Sequence, residues 1–168
     1  EAHSDWDRVG CPIEGVRIMT IPLNPNSTNP LRDLTLVRFL VRIYRTERPD
    51  VVFNYTIKPN IYSAIAARIC HIPAIDMVTG LGYMFQDNSL KRRIGRLMYK
   101  TGLRLAKRVL TLNVENQNLL LKRRFVRPEQ VLLMPGGEGV NLKSYPYREK
   151  SYQSGIHFLI VSRVLYDK

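Results

Sequence analysis

The fold of this chain is decided by residues 50–78, DVVFNYTIKPNIYSAIAARICHIPAIDMV. An apolar run at 50–55 predicts a strand, an Ala-rich stretch at 60–70 predicts a short helix, and residues 73–78 predict a second strand. Parallel strands need a crossover connection, which is usually a helix. The three segments together therefore predict one β-α-β unit with a right-handed crossover.

The same alternation of short apolar runs and longer stretches of helical period continues on both sides of this unit. It predicts further helices at 31–48, 89–106 and 115–124, and further strands at 16–23, 108–112 and 130–134. The strands are apolar and β-branched along most of their length, as strands covered on both faces are. The sequence thus predicts an α/β fold with a Rossmann-like, doubly wound, mostly parallel sheet.

A second Rossmann-like domain is predicted to begin near the end of the chain. Residues 157–161 form an apolar run that ends in a loop with Arg163 and Lys168. The carboxyl edge of such a strand is where phosphorylated ligands bind, and Arg and Lys are the usual partners of a diphosphate. We expect residues 1–150 to form the first domain and residues 151–168 to form a linker and the start of the second, with the natural chain continuing past both ends.

The charge of the chain limits its partners. It carries 26 Lys and Arg against 14 Asp and Glu, a net charge of +12, which favours nucleic acid, an anionic membrane or a phosphorylated substrate. Two isolated cysteines and three scattered histidines indicate no disulfide framework, metal site or catalytic triad. The apolar region at 61–85 is interrupted by polar residues, so we expect any membrane contact to be peripheral.

The loops after the strands are the candidates for a binding site, because the carboxyl ends of parallel strands lie at one edge. Thr56 is placed to cap the helix that follows it, and Lys58 lies where an anion would meet the N-terminus of that helix. Capping alone would also explain Thr56. Tyr83 and Phe85 suit either stacking on a sugar ring or lipid or packing in the core.

Two glycine-containing loops allow a ligand to approach the backbone closely. The first is Gly80-Leu81-Gly82, which is equally consistent with a simple turn. The second contains three glycines in four positions, a demanding backbone that favours function, and its residues are Gly136, Gly137, Glu138 and Gly139.

The helix predicted at 89–106 carries a dense row of cations without an acid. Charged helix faces usually mix signs, so this row predicts contact with anionic lipid headgroups or another polyanion. Its members are Arg93, Arg96, Lys100, Arg104 and Lys107. An apolar stripe of Ile94, Leu97, Met98 and Leu105 is predicted on the opposing side.

Four loop motifs together resemble the N-terminal domain of family-4 GT-B glycosyltransferases. They are TIKPNIY at 56–62, VTGLGY at 78–83, LNVEN at 112–116 and MPGGEGVN at 134–141. The likeness extends from about Gly15 to Lys168. It is greatest to the bacterial branch that builds capsular polysaccharide, lipopolysaccharide and other surface glycans.

The resemblance implies a role for each loop. An acceptor-side domain faces a donor domain across a cleft, and Arg163 and Lys168 hold the donor diphosphate. The loop of Gly136, Gly137, Glu138 and Gly139 lines the cleft near the donor. The acceptor side comprises Lys58, Asn60, Thr79, Gly80, Gly82 and Tyr83. Thr79 stands where several family members carry a histidine, so the catalytic residues are not assigned.

The resemblance also implies an activity. The enzyme would move a hexosyl or N-acetylhexosaminyl group, with retention, from a UDP-linked sugar to a glycan on polyprenyl diphosphate, without a metal or other cofactor. It would lie in the cytoplasm, peripherally on the inner face of the plasma membrane. We expect the 168 residues alone to be inactive, because the family's first strand and its downstream acidic motif are absent from them.

Two other classes of function are weighed against this one. A non-catalytic module that binds a polyanion or nucleic acid would account for the charge, but the chain lacks an RNA-binding sheet motif and a helix-turn-helix signature. We therefore expect no nucleic-acid partner. Another Rossmann enzyme, such as a nucleotide-sugar epimerase, is disfavoured because the third glycine of the dinucleotide fingerprint is missing.

Overall fold

The structure is a computed structural model that describes residues 14–23, 30–81, 85, 89–134, 139, 142–147 and 158. The chain divides into two compact units, residues 1–138 and residues 139–168. The described residues of the second unit are exposed, and residues 142–144 form a turn.

Helices and strands alternate along the described part of the first unit. In chain order they are α1 (Pro30–Glu47), β1 (Val52–Tyr55), α2 (Ile57–Ile69), β2 (Ala74–Val78), α3 (Leu90–Leu105), β3 (Arg108–Thr111), α4 (Val114–Lys122) and β4 (Val131–Leu133). The positions agree with the periodicity of the sequence to within a few residues.

The four strands form one parallel sheet in the order β1-β2-β3-β4. Asn54 is in register with Asp76, which is in register with Val109, which is in register with Val131. Right-handed crossovers between strands in sequential order place α2, α3 and α4 on the same face of the sheet. The predicted α/β fold with a Rossmann-like parallel sheet is confirmed.

The core lies between this face and the helices. Side chains of alternate strand residues meet the buried faces of the helices there, and the cluster includes Val52, Val78, Val109, Leu36, Leu40, Ile61, Leu103 and Leu120. On the opposite face, Phe53, Tyr55 and Leu132 remain about half exposed. Within the described residues, helices therefore cover one side of the sheet.

The strand predicted at 16–23 is wrong, because residues 16–23 belong to no strand of the described structure. Val16, Ile18 and Met19 are exposed, whereas Ile21 and Leu23 pack against the core. A segment with high strand propensity forms a strand only when it pairs with a neighbouring strand. None of the described strands pairs with this segment.

One buried side-chain amide connects the end of α3 to the start of β4. Gln130, which precedes β4 and is 1% exposed, donates from Nε2 to the carbonyl oxygens of Leu103 and Ala106. The last carbonyls of a helix lack intrahelical partners, so this amide satisfies two of them. It thereby joins the end of α3 to the start of β4.

The contact between α2 and α3 is close enough to require a glycine. A Cβ atom at Gly102 would lie 2.8 Å from the Cα of Ile61 and would also overlap the carbonyl oxygen of Asn60. Both atoms belong to the backbone of α2, so neither can move aside as a flexible side chain would. Gly95 lies two turns earlier in the same helix, and a Cβ there would meet no atom of the described residues within 4 Å.

We expect Gly102→Ala to destabilise the chain by about 1–3 kcal/mol, because the added methyl forces α2 and α3 apart. Gly95→Ala is the matched control and should stabilise the chain by about 0.5–1 kcal/mol through its effect on helix propensity. Urea unfolding monitored by circular dichroism measures both. Equal effects of the two substitutions would contradict the close packing at Gly102.

Candidate functional site

The candidate site is the edge of the sheet at which β1, β2, β3 and β4 end. In a parallel sheet all strands point the same way, so the loops that leave their carboxyl ends meet at this edge. Thr56 follows β1, Thr79 follows β2, Asn113 precedes α4, and Met134 follows β4. The Met134 amide donates to the carbonyl oxygen of Thr111, which extends the β3–β4 pairing to the edge.

The two predicted helix caps have different outcomes. The side chain of Asn113 accepts a hydrogen bond of 2.8 Å from the amide of Asn116, so the cap of α4 is confirmed. The prediction for Thr56 is wrong, since its side chain makes no capping bond and its φ is +70°. Positive φ is strained for a β-branched residue. At the start of α2 the backbone carbonyl of Thr56, and not its side chain, accepts a hydrogen bond, from the amide of Asn60.

Lys58 lies in the first turn of α2, beside the candidate edge. Its Nζ is 4.0 Å from Oδ1 of Asp33 in α1. The other oxygen of the same carboxylate accepts a hydrogen bond from the hydroxyl of Tyr62. Burial first, and then the Asp33 carboxylate, raise the pKa of Tyr62, so the phenol remains a neutral donor. Asp33 therefore positions Lys58 and links the first turns of α1 and α2.

Asn60 is placed in the interior, which corrects its predicted position in the cleft. The residue is fully buried, and its Nδ2 donates to the carbonyl oxygen of Met77 at 2.9 Å. Its Oδ1 has no hydrogen-bond partner among the described residues. The side chain connects α2 to β2 instead of facing an acceptor.

Thr79 and Gly80 present backbone to open space at the end of β2. Thr79 is exposed, Gly80 is half-buried, and a Cβ added at Gly80 would meet no atom of the described residues within 4 Å. Leu81, which follows, is buried and anchors the loop. The end of β2 is accordingly accessible to a ligand.

Phe85 belongs to the core. Its ring centroid is 5.4 Å from that of Phe125, and the guanidinium of Arg123 lies 5.7 Å from its own centroid. Of its two predicted roles, packing is thus the one observed.

Several predicted site residues lie outside the described residues. They are Gly82, Tyr83, Gly136, Gly137, Glu138, Arg163 and Lys168. Gly139 is described and has a φ of +72°, a conformation that favours glycine.

The cations of α3 have varied surroundings. Arg93, Arg104 and Lys107 are exposed, while Arg96 and Lys100 are half-buried. Lys100 lies 6.0 Å from the ring centroid of Phe125, and Arg104 donates to the carbonyl oxygen of Arg124 at 3.0 Å. Lys107 follows the end of the helix.

The apolar stripe predicted for this helix is divided in the structure, because Met98 packs against the core whereas Ile94 and Leu97 are exposed. The residues of α3 that are buried are Tyr99, Gly102 and Leu103. Leu90, Ile94 and Leu97 are instead 71%, 52% and 65% exposed. At about 100° per residue they lie on the side of the helix opposite Tyr99. The exposed side therefore combines an apolar row with neighbouring cations.

A buried polar cluster below the edge was not predicted from the sequence. Asn54 donates from Nδ2 to Oδ1 of Asp76 at 2.8 Å and accepts a hydrogen bond from the hydroxyl of Ser63. The hydroxyls of Ser63 and Tyr44 are 2.6 Å apart. The signal in the sequence is a polar residue at the inward position of each of two apolar strands.

Asp76 is the titratable centre of this cluster. It is fully buried, and its Oδ2 has no hydrogen-bond partner among the described residues. Burial raises the pKa of Asp76 to about 7, although the hydrogen bond from Asn54 acts in the opposite direction. The carboxyl group thus titrates near neutral pH.

We expect Asp76 to make the chain less stable as pH rises from about 4 to about 7. In this window the folded state holds a proton that the unfolded state has released, so folding is favoured at the lower pH. Asp76→Asn removes the titration and should gain stability relative to the parent chain across the window, on the order of 3 kcal/mol in total. Urea unfolding at a series of pH values measures the difference. A difference that is constant between pH 4 and pH 7 would contradict a buried titrating Asp76.

No group of His, Cys, Asp and Glu in the described part of the chain has the arrangement of a metal site. Among the same residues, no helix has the length and apolar character needed to cross a membrane.

Comparison with known proteins identifies the family. Residues 2–137 match the glycosyl transferase 4-like domain. Over 128 residues the chain is 25% identical to the UDP-Gal:alpha-D-GlcNAc-diphosphoundecaprenol alpha-1,3-galactosyltransferase of Escherichia coli, an alignment that covers 74% of this chain and 32% of that enzyme. The chain thus spans about a third of the length of this relative. Its α/β architecture and the extent of the match show that the chain belongs to the glycosyl transferase 4-like family, as the N-terminal domain of a family-4 GT-B glycosyltransferase.

Proposed function

We propose that the full-length protein transfers a sugar from a nucleotide donor to a glycan carried on a polyprenyl diphosphate. The observation that carries this proposal is the family match over residues 2–137. The relative from Escherichia coli, which is named for UDP-Gal and a diphosphoundecaprenol-linked GlcNAc, supports the same classes of donor and acceptor. A non-catalytic polyanion-binding module is not favoured, because it would not account for the family match.

The donor in this proposal is a UDP-linked hexose or N-acetylhexosamine, and transfer proceeds with retention. Arg163 and Lys168 neutralise the charge that develops on the leaving diphosphate, as cations at such a position do in a water-poor cleft. The loop of Gly136, Gly137, Glu138 and Gly139 lines the cleft beside the donor. These assignments rest on the sequence motifs.

The acceptor side of the proposed cleft is the described edge of the sheet. Thr79 and Gly80 present accessible backbone there, and Lys58 supplies a positive charge near the N-terminus of α2. A diphosphate is attracted to both a lysine and a helix N-terminus. The proposed product is a precursor of capsular polysaccharide or lipopolysaccharide.

We expect the full-length protein to convert GlcNAc-diphosphate-undecaprenol to a disaccharide lipid when supplied with UDP-hexoses or UDP-N-acetylhexosamines. Arg163→Ala and Lys168→Ala should each lower kcat by about 100-fold or more, because the leaving diphosphate loses a cation. Lys122→Ala, at the end of α4, is the control and should have little effect. Thin-layer chromatography of radiolabelled product measures transfer.

The 168 residues alone are expected to be inactive in the same assay. Transfer at the rate of the full-length protein would contradict the expectation that the family's first strand and downstream acidic motif, which these residues lack, are needed for activity. Absence of transfer by the full-length protein with every UDP-sugar would refute the donor class.

The proposal includes peripheral binding of α3 to an anionic membrane at the cytoplasmic face. The exposed side of the helix carries Leu90, Ile94 and Leu97, with Arg93 and Lys100 along one border of the row. Helices that lie in a membrane interface combine such an apolar row with cations. Each cation near an anionic surface contributes about 1 kcal/mol. A lipid-linked diphosphate must be approached along this surface.

We expect simultaneous charge reversal of Arg93, Arg96 and Lys100 to abolish binding to vesicles that contain anionic phospholipid. Substitution of Leu90, Ile94 and Leu97 by serine should weaken binding at high salt, where the electrostatic contribution is screened. Vesicle flotation at low and high salt measures both effects.

The matched control reverses three exposed cations outside α3, namely Arg48, Arg68 and Lys122. It changes the net charge by the same amount and should retain most of the binding. Equal losses in the two triple variants would show that net charge, and not α3, directs binding.

A further inference from the structure

A groove of ≈ 480 Å³ runs along α1, between this helix and the end of α2. Its floor is apolar and consists of Leu34, Val37, Val41 and Ile69. Leu34 is 49% exposed and Ile69 is 47% exposed, so the floor is open to a ligand. Apolar side chains that remain half exposed in a concave surface favour binding of an apolar group.

The rim of the groove is positively charged. Arg38, Arg42 and Arg45 lie one helical turn apart along it, and none of the described residues that line the groove is acidic. Guanidinium groups bind phosphates, and the alkyl stems of arginine extend an apolar surface. The combination fits a lipid chain that lies beneath a layer of phosphate headgroups.

The end of the groove at Leu34 lies near the candidate site. Asp33, the residue before Leu34, contacts Lys58 in the first turn of α2, and α2 begins directly after β1. Ile69 is the last residue of α2 and precedes β2, so it lies toward the opposite edge of the sheet. From Leu34 to Thr46 the groove extends about 18 Å along α1. It therefore leads away from the edge at which the proposed acceptor diphosphate binds.

We propose that this groove holds the first prenyl units of the lipid-linked acceptor while the diphosphate lies at the edge beside Lys58. This inference rests on the proposed function, because the diphosphate of the acceptor positions its prenyl chain. Because Leu34 follows Asp33, which contacts Lys58, the groove is placed to receive a prenyl chain attached to a diphosphate at the edge, which favours this occupant over a separate protein segment. The apolar floor removes prenyl surface from water, and the arginines contact the headgroups of neighbouring lipids.

The test compares two acceptors with the same sugar diphosphate, one on undecaprenol and one on a short alkyl chain, with the full-length protein in mixed micelles. The parent protein should have a KM about tenfold lower for the long-chain acceptor. The double variant Leu34→Asn/Ile69→Asn should lose this preference and keep its kcat/KM for the short-chain acceptor. Phe39→Asn, which replaces an exposed apolar residue of α1 outside the groove, is the control and should retain the preference.

A second measurement locates the lipid without requiring transfer. A prenyl diphosphate with a photoreactive group near its first prenyl unit should crosslink within residues 34–46 or at Ile69, as mapped by mass spectrometry. Crosslinks confined to α3 would assign the lipid to the general membrane surface and overturn the groove proposal. An unchanged chain-length preference in the double variant would also overturn it. Crosslinks in the groove combined with no transfer to either acceptor would support the lipid site and refute the proposed transferase activity.

Discussion

The contact between Asn60 and Gly102 determines how α2 is held between β2 and α3. The backbone of Asn60 occupies the space that a Cβ at position 102 would need, and its side-chain amide is bonded to the carbonyl of Met77. One residue thus sets the distance between two helices and attaches them to the sheet. Tyr99 and Leu103, which flank this contact on α3, are fully buried as a result.

This arrangement explains the unusual surface of α3. Because α3 approaches α2 so closely, the side chains that fit at the contact are few, and the buried part of the helix is narrow. The buried part of α3 has no room for three further apolar side chains, which face outward beside the cations: Leu90, Ile94 and Leu97. The exposed side of α3 thus carries both apolar side chains and cations, and this combination is the physical basis for proposing that α3 binds a membrane. Net charge alone would not distinguish a membrane-binding surface from a surface that binds nucleic acid.

A buried cluster of hydrogen-bonded side chains joins the sheet to α1 and α2, in addition to the apolar contacts between them. Its members are Asn54, Asp76, Ser63 and Tyr44. Buried polar groups that are satisfied favour one arrangement of a core over others. One oxygen of Asp76 has no partner among the described residues, and burial makes ionisation of this group unfavourable. Below the candidate edge, the hydrogen-bonded cluster therefore favours one packing of the core, and the ionisation of Asp76 makes the stability of this region depend on pH.

The α/β class, the order of the elements from residue 30 onward and the family could all be predicted from the sequence, because hydrophobic period and loop motifs are local properties of the chain. The predictions of a strand at 16–23, of a cap at Thr56 and of a cleft position for Asn60 were wrong, and only part of the apolar stripe predicted for α3 packs against the core. The strand at 16–23, the position of Asn60 and the buried side of α3 each depend on a partner distant in the sequence, namely a pairing strand, the carbonyl of Met77 and the backbone of α2 at Gly102. The cap at Thr56 fails for a local reason, because the backbone there has a φ of +70°. Which side chains of α3 face inward became clear only from the packing of the helices, since apolar residues on several sides of a helix do not specify which side another helix will cover.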